Sequence, residues 1–227
     1  MKRSLLAGAA LVLAAAFLTL GVWQLERRAW KLDLIARVES RIHAAPVPLP
    51  AVFDPRRDEY RRVRVTGAFL HDRETLVQAV TERGPGFWVL TPLRTARGMV
   101  LVNRGFVPAQ RRARSTRAAG LAGGPATITG LVRATEPGGG FLRSNDPAAE
   151  RWYSRDVAAI ARARRIGAAA PFFVDADAAA NPGGYPIGGL TVVAFRNSHL
   201  AYALTWFALA GLAALAAWRV RREPLSG

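Results

Sequence analysis

Two long uncharged blocks bracket the chain, and between them the pattern turns from continuous to alternating. The first block, Leu5 to Leu25, is 21 residues long. At about 1.5 Å per helical residue it reaches about 31 Å, the thickness of a bilayer's hydrocarbon core. The second, Leu200 to Trp218, is 19 residues long and reaches about 28 Å. Each is long enough to cross a membrane. Lys2 and Arg3 precede the first block, as in a secretory signal. A signal's apolar stretch, however, runs about 7–15 residues and closes on a small-residue cleavage site. This run is longer and ends in GVWQLERRAWK, so it reads as a retained anchor with Trp23 in the interfacial aromatic belt.

Past Leu25, Trp30, Leu34, Val38 and Ile42 recur every fourth residue among charges, which predicts that the helix continues with one apolar stripe. Pro46, Pro48 and Pro50 end it. The segments EYRRVRVTGAFL, ETLVQAV, GFWVLTPL, GMVLVNRGFV, ATITGLVR, PFFVDAD and GLTVVAFRN predict strands, with a hairpin turn at Ala96–Gly98. One helix is predicted from Arg155 to Gly167, on the spacing of Val157, Ile160, Ala161 and Arg164, with Gly167 as its C-cap. TEPGGGFLRSNDPAAE and AAANPGGYPIGG read as loops. The fold class is therefore a membrane-anchored α+β protein. Two transmembrane helices, N- and C-terminal, flank a β-rich, small antiparallel barrel-like domain with one helix. The divisions fall at residues 1–28 (first helix with flanks), 29–198 (β-rich domain) and 199–227 (second helix and tail).

A formal net charge of +16 raises the question of nucleic acid. Of the 32 basic residues only Lys2 and Lys31 are lysine, the arginines are scattered, and aromatic residues do not interleave with them. Nucleic acid is therefore not an expected partner, whereas membrane lipid is. The densest basic run, AQRRARSTRAAG from Ala109 to Gly120, reads as a solvated or disordered loop. Lys2, Arg3, Arg219, Arg221 and Arg222 flank the outer ends of the spans, against Arg27, Arg28, Lys31, Arg37 and Arg196 at the inner ends. The positive-inside rule is thus balanced and sets no orientation. The absence of cysteine removes disulfides, thiolate zinc sites and thiol nucleophiles.

No His-x-x-x-His pair, dinucleotide-binding glycine pattern or nucleophile elbow is present, so an enzyme is not expected. Asp175 and Asp177 share one strand face and read as a solvated strand end, while Asp54, Asp58 and Glu59 read as ion-paired with nearby arginines. Of three histidines, His43 reads as surface and His71 as a turn residue. His199 stands at the head of the second block, where His199, Tyr202 and Trp206 fall at i, i+3 and i+7 on one helix face. An imidazole at the bilayer surface beside aromatic walls suits axial ligation of a haem iron. The same residues also suit an interfacial belt and a helix cap. Ala10 with Ala14, and Ala210 with Ala214, are small pairs that permit close approach of the two spans.

The stretches LGVWQLERRAWKLDLI, YRRVRVTGAF, RGPGFWVLTPL, VLVNRGFVP, WYSRDV and YPIGGLTVVAFRNSHLAYALTWFALA follow one another in this order. In this, and in its two-span layout, nearly the whole chain resembles the surfeit locus protein one family, assembly factors of cytochrome c oxidase. The resemblance implies residence in the bacterial cytoplasmic (inner) membrane, with both termini cytoplasmic and the central domain periplasmic. It implies a part in maturing the catalytic subunit of haem-copper oxidases, with haem a synthase as the source of haem. It also implies that His199 is a ligand of transiently bound haem a and that Trp206 belongs to the same site; Tyr202 joins them by its spacing. The alternative is a cofactor-free membrane scaffold that stabilises an oxidase assembly intermediate. Fold or docking roles fall to Gly67 as a bulge, Gly86 as a turn, Asn103–Arg104–Gly105 as the close of another, and residues 185–189 as the approach to the final strand.

Overall fold

A computed structural model describes residues 2–191 and 197–222. They form two compact units, Met1–Arg37 with Ala194–Gly227, and Val38–Val193. Helix α1 (Lys2–His43) opens the chain, α2 (Pro55–Asp58) and α3 (Val157–Arg164) belong to the second unit, and α4 is His199–Arg222. The strand expected from Gly189 to Asn197 falls largely outside the described residues.

In the helical unit, α1 and α4 contain apolar windows of mean hydropathy 2.4 and 1.8, of which only 11% and 17% is buried. A soluble protein's core helix of this composition would be covered. Here Leu5 is 71% and Leu212 62% exposed, and only an apolar solvent makes such helices stable. The two threonines within the windows satisfy their hydroxyls locally, Thr19 donating to the Ala15 carbonyl (2.9 Å) and Thr205 to that of Ala201 (3.0 Å). The helices pack antiparallel: Phe17 stacks on Trp206 with centroids 5.6 Å apart, and a turn or two further along α1, Gln24 meets His199.

Small residues line the contact. Ala203, Ala210 and Ala217 are buried on α4, and Ala7 and Gly21 on α1 with half-buried Ala14 midway. That is a seven-residue period, the signature of two helices wound on one seam. The four-residue pairing expected at Ala210 and Ala214 is corrected by this: the seam steps three residues on to half-buried Ala213, and Ala214 is exposed. At Gly21 an added Cβ would lie 2.4 Å from the Phe207 ring, so only glycine fits without a shift.

In the second unit, β1 (Arg62–Phe69), β2 (Thr75–Thr81), β3 (Gly84–Thr95), β4 (Gly98–Pro108) and β5 (Pro125–Ala134) follow in sequence, then a minimal hairpin of β6 (Gly139–Gly140) and β7 (Arg143–Ser144), and lastly β8 (Ala169–Ala176). The main sheet runs β1-β5-β8-β4-β3-β2, and an extra pairing of β1 with β3 closes five of its strands into a barrel. The closure follows from the length of β3. Its first half, Gly84–Leu90, pairs with β2, and its end, Leu93–Thr95, pairs with Phe69–Gly67 of β1. The pairings are antiparallel except β4 with β8, which run parallel through Leu101↔Phe173 and Asn103↔Asp175.

Alternation puts Val63, Val65, Leu93, Val100, Val102, Val132, Phe172 and Val174 into one buried cluster. The opposite faces of β4 and β8 supply Leu101 and Phe173 to a second, which α3 covers with Val157 and Ile160 and which holds Trp152. Strands buried on both sides read as unbroken apolar runs, which explains MVLV and PFFV. Helix α3 starts where the Asp156 side chain accepts from the Ala159 amide (3.0 Å). It ends at Arg165, which takes the left-handed C-cap conformation (φ 51°) expected of Gly167.

Four other expectations are corrected. The register shifts lie between Trp88 and Leu90 of β3 and between Met99 and Leu101 of β4, while Gly67 is a residue at which β1 pairs with β5 and β3 at once, leaving 2.4 Å between an added Cβ and the Arg94 carbonyl oxygen. Gly86 is inside β3, and Asn103–Gly105 are inside β4 rather than at a turn. The run Ala109–Gly120 is ordered into two 3-10 segments, pinned where buried Arg117 pairs with Glu74.

Candidate functional site

Helix α4 begins at His199, its first turn closed by the Tyr202 amide on the Ser198 carbonyl (3.3 Å). At 100° per residue, His199 and Trp206 lie about 20° apart around the helix, and Tyr202 about 60° to one side. The structure follows that arithmetic. His199 and Trp206 both meet α1, one through Gln24 and the other through Phe17, whereas Tyr202 is 56% exposed and does not join them at the seam.

His199 Nδ1 lies 2.7 Å from Gln24 Oε1. An amide oxygen only accepts, so Nδ1 carries the proton and donates it. The lone pair is then on Nε2, on a half-buried ring, and among the described residues Nε2 has no hydrogen-bond or ion-pair partner. An imidazole in this state can give one bond to a metal. Three or more His, Cys, Asp or Glu side chains do not converge anywhere among the described residues, so a free ion would find no multidentate cage there. A haem would need none: one imidazole nitrogen would serve as a protein ligand to its iron, with apolar and aromatic side chains around it. His199, with exposed Tyr202 three residues further along the apolar helix, fits that requirement.

The barrel holds the other polar clusters, and their carboxylates are paired within the fold. Asp175, read from sequence as solvated, is 2% exposed. Its carboxylate accepts from Asn103 Nδ2 (2.8 Å), Arg133 Nη1 (3.0 Å), Arg155 Nη1 (3.2 Å) and Thr191 Oγ1 (3.0 Å). Asp58, as expected, pairs with Arg57 and Arg61, and the Arg57 hydrogen bond holds its carboxyl far below the usual range. Beside a cavity of about 260 Å³, buried Arg104 donates to the Gly120 carbonyl (2.6 Å) and Asn181 Oδ1 (3.0 Å), and its Nη1 meets His71 Nδ1 at 3.3 Å. Burial brings Arg104 down to about 10, and burial together with the Arg104 charge lowers His71.

Sequence reasoning missed two participants. Gln24 carried a usable signal, an uncharged polar side chain next to the end of an apolar span. The inward turn of Asp175 had none, because its four donors come from 103, 133, 155 and 191.

A paired apolar anchor together with a closed five-stranded barrel defines a membrane-anchored barrel protein. The model of the SURF1 family matches residues 11–211, from within α1 to within α4. Surfeit locus protein 1 of Homo sapiens is 43% identical over 211 residues, covering 84% of this chain and 69% of the relative. The Mus musculus protein of the same name is 40% identical over 237 residues (95% and 76%), and that of Rattus norvegicus 41% over 227 (90% and 72%). The chain belongs to the SURF1 family.

Proposed function

We propose that this protein is an assembly factor for a haem-copper (cytochrome c) oxidase that binds haem a and assists its delivery to the catalytic subunit. Family membership supports the assembly role. The observation that carries haem binding is the imidazole of His199, anchored through Nδ1 and open at Nε2 on an apolar helix pair. In this reading His199 holds the iron, and Tyr202 and Trp206 lie against the macrocycle. Haem would supply the iron, and the chain's task is to hold it reversibly. A single ligand on a face open to other membrane helices is suited to loading from haem a synthase and release to the oxidase subunit. The protein sits in a bacterial inner membrane with both termini cytoplasmic, and residues 29–198 form its periplasmic domain.

The test is an optical spectrum of the full chain, purified after co-expression with haem a synthesis enzymes, beside His199→Ala. The wild type is expected to carry haem absorbance and the variant to lose it while keeping its far-UV circular dichroism. Equal haem content in the two would remove this function. One feature favours the cofactor-free scaffold: the β6–β7 hairpin presents Phe141 and Leu142 at 91% and 89% exposure, as a contact for another protein would. Co-purification of the oxidase subunit from a haem-deficient strain would select that reading.

A further inference from the structure

Gln24 is an unexpected residue at its position. Twenty uncharged residues of apolar character or small size precede it from Ser4 to Trp23, and the charged half of α1 begins two residues later at Glu26. A side-chain amide at the end of such a span usually turns to water or headgroups. Here it turns inward, half-buried, and meets the one imidazole in the helical unit at 2.7 Å. Helix packing sets up this encounter. Gly21, one turn earlier on the same stripe, lets α4 approach to within van der Waals contact at Phe207, and Phe17 one turn before that is stacked on Trp206. The ladder Phe17, Gly21, Gln24 thus fixes both the distance and the height at which the amide reaches the ring.

The direction of the bond matters chemically. If a side-chain NH donated to a bare Nδ1, the ring proton would sit on Nε2 and block it. With Oε1 facing the ring, the proton sits on Nδ1, and Nε2 keeps its lone pair. A tie whose only duty was to hold two helices together would work in either sense. Metal-binding histidines take their tautomer and orientation from the partner of the second nitrogen. We propose that Gln24 is a positioning residue for His199, fixing the Nδ1–H tautomer and ring plane that present Nε2 to an iron porphyrin. The inference rests on the reading of His199 as an axial ligand. Its first consequence, the tautomer, concerns the chain alone.

The experiment uses the full chain in detergent, labelled with ¹⁵N at the imidazoles. With three histidines, His43, His71 and His199, assignment by single substitution is direct. In the absence of haem the His199 signals should show a protonated Nδ1 and a bare Nε2, and Gln24→Leu should lose that bias. Haem titrated into Gln24→Leu should bind about 10–100-fold more weakly than into the wild type. Gln24→Glu, which keeps an acceptor and makes it anionic, should retain binding and raise the Fe–imidazole stretching frequency in resonance Raman spectra. A protonated Nε2 in the unliganded wild type overturns the inference. So does Gln24→Leu with unaltered affinity and stretching frequency, or weakened binding in Gln24→Glu with no change in that frequency, which would make Gln24 a packing residue. In each of these cases loss of haem in His199→Ala would leave the parent reading standing, whereas haem retained in His199→Ala removes both.

Discussion

His71 and His199 are wired in opposite senses. In the barrel unit, Arg104 can only donate, so His71 Nδ1 accepts from it (3.3 Å) and Nε2–H donates to the Ala122 carbonyl (3.2 Å). Both nitrogens are spent inside the fold. In the helical unit, His199 spends Nδ1 on Gln24 and keeps Nε2. The contrast extends to the units themselves. The barrel ties its buried charges to partners inside the fold, as Arg117 with Glu74, Arg104 with the Gly120 carbonyl and Asn181, and Asp175 among four donors show. The helix pair packs alanine and glycine along its seam and joins Gln24 to His199 there, with Nε2 left open among the described residues. A saturated histidine belongs to a scaffold; a half-saturated one is available to a ligand.

The contrast breaks most severely at Asp175. Removing this carboxylate in Asp175→Ala leaves two guanidiniums, 16% and 14% exposed, facing each other without their shared counter-charge. Loss of one partner from such a buried network costs about 3–5 kcal/mol. Guanidinium melts of the full chain in detergent, followed by far-UV circular dichroism, should show this loss in the β signal, while the His199 imidazole spectrum stays that of the wild type. A loss below about 1 kcal/mol would show that the cluster does not hold the barrel together.

A smaller effect, in the other unit, is expected from Gly21→Val. The new Cβ would lie 2.4 Å from a Phe207 ring carbon, and overpacking of this kind costs about 1–3 kcal/mol. Displacing the Phe207 ring should spread the seam, so the Gln24–His199 bond should weaken and the Nδ1–H signal of His199 should diminish. The barrel's melting midpoint should not move. If the two respond together, the units are one cooperative structure and the contrast drawn here is false.

How much of this was legible in the sequence depends on the range of the interaction. Period-two alternation located β1 and β5, short apolar runs bounded by turn residues located β2, β3, β4 and β8, and the Ala96–Gly98 turn located the β3–β4 hairpin, because those signals lie within a few residues of each other. Barrel closure by β1 on β3 and the parallel pairing of β4 with β8 join residues 24 or more positions apart, and no local pattern encodes them. The same limit governs the site. His199, Tyr202 and Trp206 were visible as a helical stripe, whereas Gln24 is 175 positions away from the ring it orients. Alanine's abundance also hid the seam, since many spacings of small residues fit the sequence and only packing selects the seven-residue one.

The smallest effect sharpens the contrast through pH. Burial, and then the Arg104 cation, lower the His71 pKa from its ordinary value of 6.5, so the folded barrel favours the neutral ring. Above 6.5 the ring is neutral in both folded and unfolded chains, and its contribution to stability is fully present. As pH falls below 6.5 the unfolded chain takes up the proton first, and stability declines until the lower folded value is passed. The carboxyls of Asp58 and Glu136 are both held below their usual values, by Arg57 and against burial by Arg155, and lose their contribution only at more acidic pH. The barrel's melting midpoint should therefore fall between pH 7.5 and 5.5 in the wild type and fall less in His71→Gln, which keeps a polar side chain without a titrating ring. A His71→Gln curve parallel to the wild type would mean that the ring's two internal bonds survive protonation, which the Arg104 guanidinium at Nδ1 forbids.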